Sequence, residues 1–78
     1  MKGAKTSPPR FAVCVKNTGY RASLELYKIY RVLPDDDAAQ DGDLRIVDES
    51  GEDYLYPASN FVAIDVPRAL ERVLRKAS

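Results

Sequence analysis

The residues whose types and spacing come nearest to known chemistry are aspartates. Asp37, Asp41, Gly42 and Asp43 fall at positions one, five, six and seven of an EF-hand-like loop, where alternate oxygen ligands and a glycine at the sharp turn could hold calcium. Position three is Ala39, however, and position twelve is Asp48 where a longer, bidentate glutamate is needed. The flanks carry strand patterns, so the run reads as a solvated acidic loop and no metal ligand is assigned. Cys14 could act as a nucleophile, but the 78-residue chain has no histidine to activate it, and its neighbours alternate like a packed strand. Asp48 with Glu49, and Glu52 with Asp53, are carboxylate pairs around a hairpin turn, with no pocket to raise a pKa. Glycine-rich phosphate cradles and cysteine clusters for zinc are absent. No catalytic residue and no cofactor follow from these residues, and an enzyme is not expected.

Aromatic and basic groups remain. Tyr20, Tyr27, Tyr30, Tyr54 and Tyr56 are many for so short a chain, and tyrosine suits interfaces because a large apolar ring carries a polar tip. Strand alternation puts Tyr54 and Tyr56 on one side and Leu55 on the other. With Leu55 in the core the two tyrosines form an exposed aromatic surface; otherwise they are half-buried residues filling out a small fold. The candidate partner-binding surface is Tyr20, Tyr27, Tyr54, Tyr56 and Phe61, with Glu25 as its polar contact, and replacing Tyr54 and Tyr56 together by serine is expected to spare the fold. Arg68, Arg72, Arg75 and Lys76 offer an alternative, nucleic-acid-binding face. Lys plus Arg and Asp plus Glu both number 12, so no whole-molecule field draws the chain to nucleic acid, which is the lesser reading.

Certain elements must position these groups. Residues 1–10, "MKGAKTSPPR", lack apolar periodicity and read as a flexible tail. "FAVCVK" alternates as a first strand from Phe11, Asn17 to Gly19 signal a turn, and "ASLELYK" is an irregular excursion. "KIYRVL" is a second strand stopped by Pro34, and "DDDAAQDGD" is a loop. "LRIVDE" and "YLY" form a hairpin across Ser50-Gly51, and "FVAID" is a last short strand. Val66, Ala69, Leu70, Val73, Leu74 and Ala77 then recur at helical spacing, with Asp65 available as a cap and Pro67 near the first turn. The chain is one domain, and no apolar stretch approaches the roughly 20 residues that span a bilayer. The opening residues lack the apolar run of a secretory signal and the single cysteine cannot pair internally, so a cytoplasmic setting is expected.

The order of these signals, with "ASNFV" before the last strand, resembles an SH3 domain over about residues 11–65. On that resemblance "NTGYRASLELY" occupies the RT loop, "DDDAAQDGD" the n-Src loop, "ESGED" the distal turn and "PASNF" the 3₁₀ turn. The family's polyproline groove needs a tryptophan, paired tyrosines, acids in the RT loop and a proline in the 3₁₀ segment. Here tryptophan is absent, Ala58 stands at the proline position, Phe61 replaces the usual tyrosine, and Glu25 is the only RT acid. The resemblance implies the fold and not that ligand. The expectation is therefore a mainly β chain: a small five-stranded SH3-like barrel over 11–65 with a C-terminal amphipathic helix over 66–77. It would serve as a non-catalytic module for a protein or peptide partner, as a monomer or as a dimer made through the helix.

Overall fold

The computed structural model describes residues 10–77, with side chains described as far as Leu74. The tail expected over residues 1–10 therefore lies, apart from Arg10, outside the described residues. Five strands form one antiparallel sheet: β1 (Phe11–Cys14), β2 (Ile29–Leu33), β3 (Asp43–Val47), β4 (Asp53–Pro57) and β5 (Phe61–Ile64). Their spatial order is β4-β3-β2-β1-β5, so the chain meanders through four strands and the fifth returns to the first.

β4 and β5 lie at opposite edges of that order, yet only the 3₁₀ turn Ala58–Asn60 separates them in sequence. A flat sheet cannot place its two edges one turn apart, so this sheet curls, although no ladder closes β4 onto β5. Its concave face holds the core: Ala12, Cys14, Tyr30, Val32, Ile46, Tyr56 and Phe61, with Leu24 inserted from the excursion and Leu44 against it. Registration explains the membership, because residues directly opposite on antiparallel strands share a face. Ala12 faces Tyr30, Val32 faces Ile46, Leu44 faces Tyr56 and Cys14 faces Phe61. Cys14 is fully enclosed, its thiol donating to the Lys16 carbonyl at 3.5 Å, and burial pushes that thiol up in pKa.

The excursion of residues 15–28 forms no strand and is pinned at both ends. Asn17 Nδ2 donates to the Leu24 carbonyl at 2.9 Å, and the Tyr27 amide donates to the Cys14 carbonyl at 2.6 Å. Tyr27 adopts φ 64, the left-handed region that a bulky aromatic rarely enters.

The aspartate run is not wholly a loop, which corrects the sequence expectation. Asp36–Gln40 is a short helix, α1, because Asp35 caps it: Asp35 Oδ1 accepts from the Ala38 amide at 2.9 Å, Asp36 and Asp37 sit in the first turn, and Ala38 is buried. Arg45 Nε donates to Asp35 Oδ2 at 2.8 Å, tying α1 to β3, and its Nη1 reaches Asp53 Oδ2 at 2.9 Å. The Ala38 amide and then Arg45 hold the Asp35 carboxyl below its ordinary pKa. Asp35→Ala is expected to cost about 1 kcal/mol, the usual value of an N-cap, read as a lower urea midpoint. An unchanged midpoint would show that the cap is dispensable.

The C-terminal helix, α2 (Arg68–Ala77), starts two residues later than the apolar pattern predicts. It meets the sheet by an unexpected edge. Glu71 and Leu74 are half-buried, and Arg10 Nη1 donates to Glu71 Oε2 at 3.0 Å, while Ala69, Leu70 and Val73 of the predicted stripe are exposed. Ala77 and the basic candidates Arg75 and Lys76 lie outside the residues whose side chains are described.

Candidate functional site

One concave feature is a groove of about 390 Å³ lined by Tyr20, Ser23, Asp48, Ser50, Tyr54, Leu55 and Tyr56. The Tyr20 ring stands edge-on to the Tyr56 ring, with centroids 5.0 Å apart and planes at 89°. Tyr20 and Tyr54 are 38% and 50% exposed, so each presents ring surface at the groove.

Alternation holds along β4, but its sense is the reverse of an exposed pair. Tyr54 pairs with the buried Ile46 and Tyr56 with Leu44, so both rings turn to the concave side, while Leu55 points outward and is 46% exposed. Tyr56 lies deep in the core and Tyr54 at its rim. Of the expected surface, Tyr56 and Phe61 are thus buried core residues, because the curl brings β4 and β5 together and sets their rings 6.4 Å apart. Tyr27 is exposed but belongs to a different feature, described below. Glu25 is exposed, and what it gives to the structure is its backbone amide, donated to the Tyr30 hydroxyl at 2.7 Å.

Beneath the groove lies a hub that sequence reasoning set aside as a carboxylate pair at a hairpin turn. Asp48 is 6% exposed and directly follows β3. Its Oδ1 accepts from the Ser50 amide at 2.9 Å and the Ser50 hydroxyl at 2.5 Å, and its Oδ2 accepts from the Tyr56 hydroxyl at 2.6 Å. Gly51, at φ 84, completes the turn, and the Asp48 amide donates to the Glu52 carbonyl at 3.0 Å. The next residue ties this turn to the excursion: the Glu49 amide donates to the Ser23 carbonyl at 3.0 Å. The Glu49 carboxylate accepts from the Tyr30 hydroxyl and from Lys28 Nζ, the latter at 2.6 Å, and Lys28 also lies 5.5 Å from the centre of the Tyr30 ring. The one signal available in sequence was "DES", an aspartate two residues before a serine, the spacing of an Asx turn.

The electrostatics follow from these bonds. Burial pushes the Asp48 carboxyl up, but the hydrogen bonds from Ser50 and Tyr56 outweigh it and leave its pKa below the ordinary value. Lys28, then Tyr30, hold Glu49 down. Burial, reinforced by the carboxylate each hydroxyl faces, raises the pKa of both Tyr56 and Tyr30. Carboxylates pushed down and phenols pushed up do not trade protons near neutral pH, so the hub holds shape and the groove above it offers surface.

A second feature is a cavity of about 380 Å³ on the convex face, between β2 and α2. Arg68 and Arg72, from the basic alternative, are exposed and line a separate cleft with Arg10 and Glu71. Among the described residues no group of acidic or cysteine side chains is arranged to hold a metal, and no helix is long and apolar enough to cross a membrane. The fold and these surfaces define a small, mainly β domain with helices at two corners. No family model, curated protein or solved structure matches the chain.

Proposed function

We propose that the chain is a non-catalytic protein-interaction module on an SH3-like barrel, and that it takes an extended segment of a partner protein into the Tyr20–Tyr54 groove. The observation that carries this reading is the Tyr20–Tyr56 stack. A buried ring, held by Asp48, supports an exposed one beside the half-exposed Tyr54, giving a rigid aromatic surface where binding loses little side-chain entropy. The strand order, the long excursion after β1 and the 3₁₀ turn before β5 support the SH3-like description. A buried free cysteine suits a reducing cytoplasm. The groove differs from the polyproline site in lacking a tryptophan.

The test is selection of binders from a displayed random peptide library, followed by amide chemical-shift mapping. Selected peptides should perturb residues 20–23, 48–50 and 54–56. Binding should fall at least about tenfold in Tyr54→Ser, whose urea midpoint stays at the wild-type value because an exposed rim residue contributes little to stability. Failure to select any peptide, or shifts confined to other faces, would overturn the reading.

A second reading, self-association through α2, has one observation in its favour: Leu70 and Val73 are 40% and 60% exposed on one side of the helix. Light scattering decides it. A dimer that dissociates in Leu70→Ser/Val73→Ser would establish helix-mediated assembly, and a monomeric wild-type chain would dismiss it.

A further inference from the structure

The convex face of the sheet is mostly apolar, and Arg31 lies in its middle. On that face Arg31 is flanked across the strands by Phe11 and Val47, and along its own strand by Ile29 and Leu33 two residues away. Leu74 of α2 stands over this patch, and the cavity between them is lined by Phe11, Tyr27, Ile29, Arg31, Val47 and Leu74. Its volume is at the small end of the range for small-molecule sites, about 300–1,000 Å³.

Two side chains at this cavity, those of Arg31 and Tyr27, form no ion pair or hydrogen bond with any described residue. Arg45, on the same face, is ion-paired to both Asp35 and Asp53, whereas the half-buried Arg31 has no ion pair or side-chain hydrogen bond to any described residue. A half-buried arginine flanked by apolar side chains and lacking an ion pair is a ready partner for an anion. At the cavity's lip, Tyr27 holds a strained left-handed backbone while its ring is 76% exposed, so the strain is not repaid by burial of that ring. The other charges around the cavity are spoken for: Lys28 pairs with Glu49, and Asp48 is bonded to Ser50 and Tyr56.

We infer that this cavity binds a small carboxylate with an apolar body. The carboxylate pairs with Arg31, the one charged group of the lining without a described partner. The chain or ring of the ligand lies between Phe11, Ile29, Val47 and Leu74, with the Tyr27 ring closing over it. The site shares Asp48 with the tyrosine groove, but none of that groove's tyrosines Tyr20, Tyr54 and Tyr56 lines it.

The experiment is an amide chemical-shift titration of the full chain with octanoate and, separately, with its neutral counterpart 1-octanol. Octanoate should saturate within the millimolar range, perturb residues 27–31, 47–51 and 74, and bind about tenfold more tightly than the alcohol, the worth of one charge-assisted hydrogen bond. Arg31→Met keeps the side-chain length and should bring the acid down to the affinity of the alcohol, while Leu74→Trp should fill the cavity and abolish both. Equal affinity of acid and alcohol for the wild-type chain, shifts mapped to another face, or no saturation at all would each overturn the inference. The comparison of the two ligands on the wild-type chain stands even where a variant is too unstable to titrate.

Discussion

Replacing Tyr56 by serine is expected to unfold much of the domain. Tyr56 is 4% exposed, its ring contacts Tyr20 and Phe61, and its hydroxyl satisfies a buried carboxylate. Truncating an aromatic ring in a packed core costs about 3–5 kcal/mol, against a total stability of roughly 4–12 kcal/mol for a chain of this length. The loss is a large part of the whole. Urea denaturation followed by circular dichroism should show Tyr56→Ser largely unfolded or with a much lower midpoint, while Tyr54→Ser follows the wild-type curve. A double serine variant should therefore lose the fold, contrary to the expectation from alternation alone. If Tyr56→Ser kept the wild-type midpoint, the concave placement of β4's side chains would be wrong.

The second large effect is expected at Asp48, and it depends on pH. Asp48→Asn keeps the shape but replaces a charged acceptor of three hydrogen bonds, and should cost on the order of 2 kcal/mol at neutral pH. The carboxyl pKa values of Asp48 and Glu49 are lower in the folded chain than their ordinary 3.8 and 4.5, so the unfolded chain takes up protons first on acidification. Their stabilisation is complete above about pH 5 and is lost as pH falls through the lowered folded values. Tyr30 and Tyr56 work in the opposite sense. Their folded pKa values lie above the ordinary 10.0, so their contribution is complete below about pH 9 and is lost as pH rises through the raised values. Stability plotted against pH should thus be flat between these limits. Asp48→Asn should lower the plateau and shallow the acid limb, because one of the carboxylates held below its ordinary pKa is gone while Glu49 and Asp35 remain. A variant that lowered the plateau but left the acid limb unchanged would mean that Asp48 acts by packing and not as a charged acceptor.

The hub gives the binding surface its physical basis. Tyr20 is held, among the described residues, by the ring beneath it and by local backbone bonds, such as that from its amide to the Asn17 carbonyl at 2.8 Å. The Asp48 turn holds that ring through Tyr56, and the Glu49 amide fastens the same turn to Ser23 in the excursion. Loosening the turn should therefore weaken any ligand of the groove even where the ligand never touches Asp48. The convex cavity is lined by Asp48 and Glu49 of the same turn and also by Leu74, so a change at Leu74 alters it without touching the groove.

The sequence by itself determined the order of elements. Alternation in "FAVCVK", "KIYRVL" and "LRIVDE", the stop at Pro34, the turn at Ser50-Gly51 and the break at "PASN" are local signals, and strands and turns form where they predict. Even the missed helix α1 had a local cause, an aspartate cap followed by two acids and two alanines, hidden because five aspartates in nine residues look like loop. Tertiary structure decided which face of each strand became core. Period-two alternation divides Tyr54 and Tyr56 from Leu55, but only the curl that joins β4 to β5 shows which side is concave. The same holds for Asp48, whose burial comes from Tyr56 and Ser50 meeting above it, and for α2, which meets the sheet through Glu71 and Leu74 while Ala69, Leu70 and Val73 stay exposed. Such contacts join residues up to 61 positions apart, and no local pattern encodes a pairing whose geometry exists only once the sheet has curled.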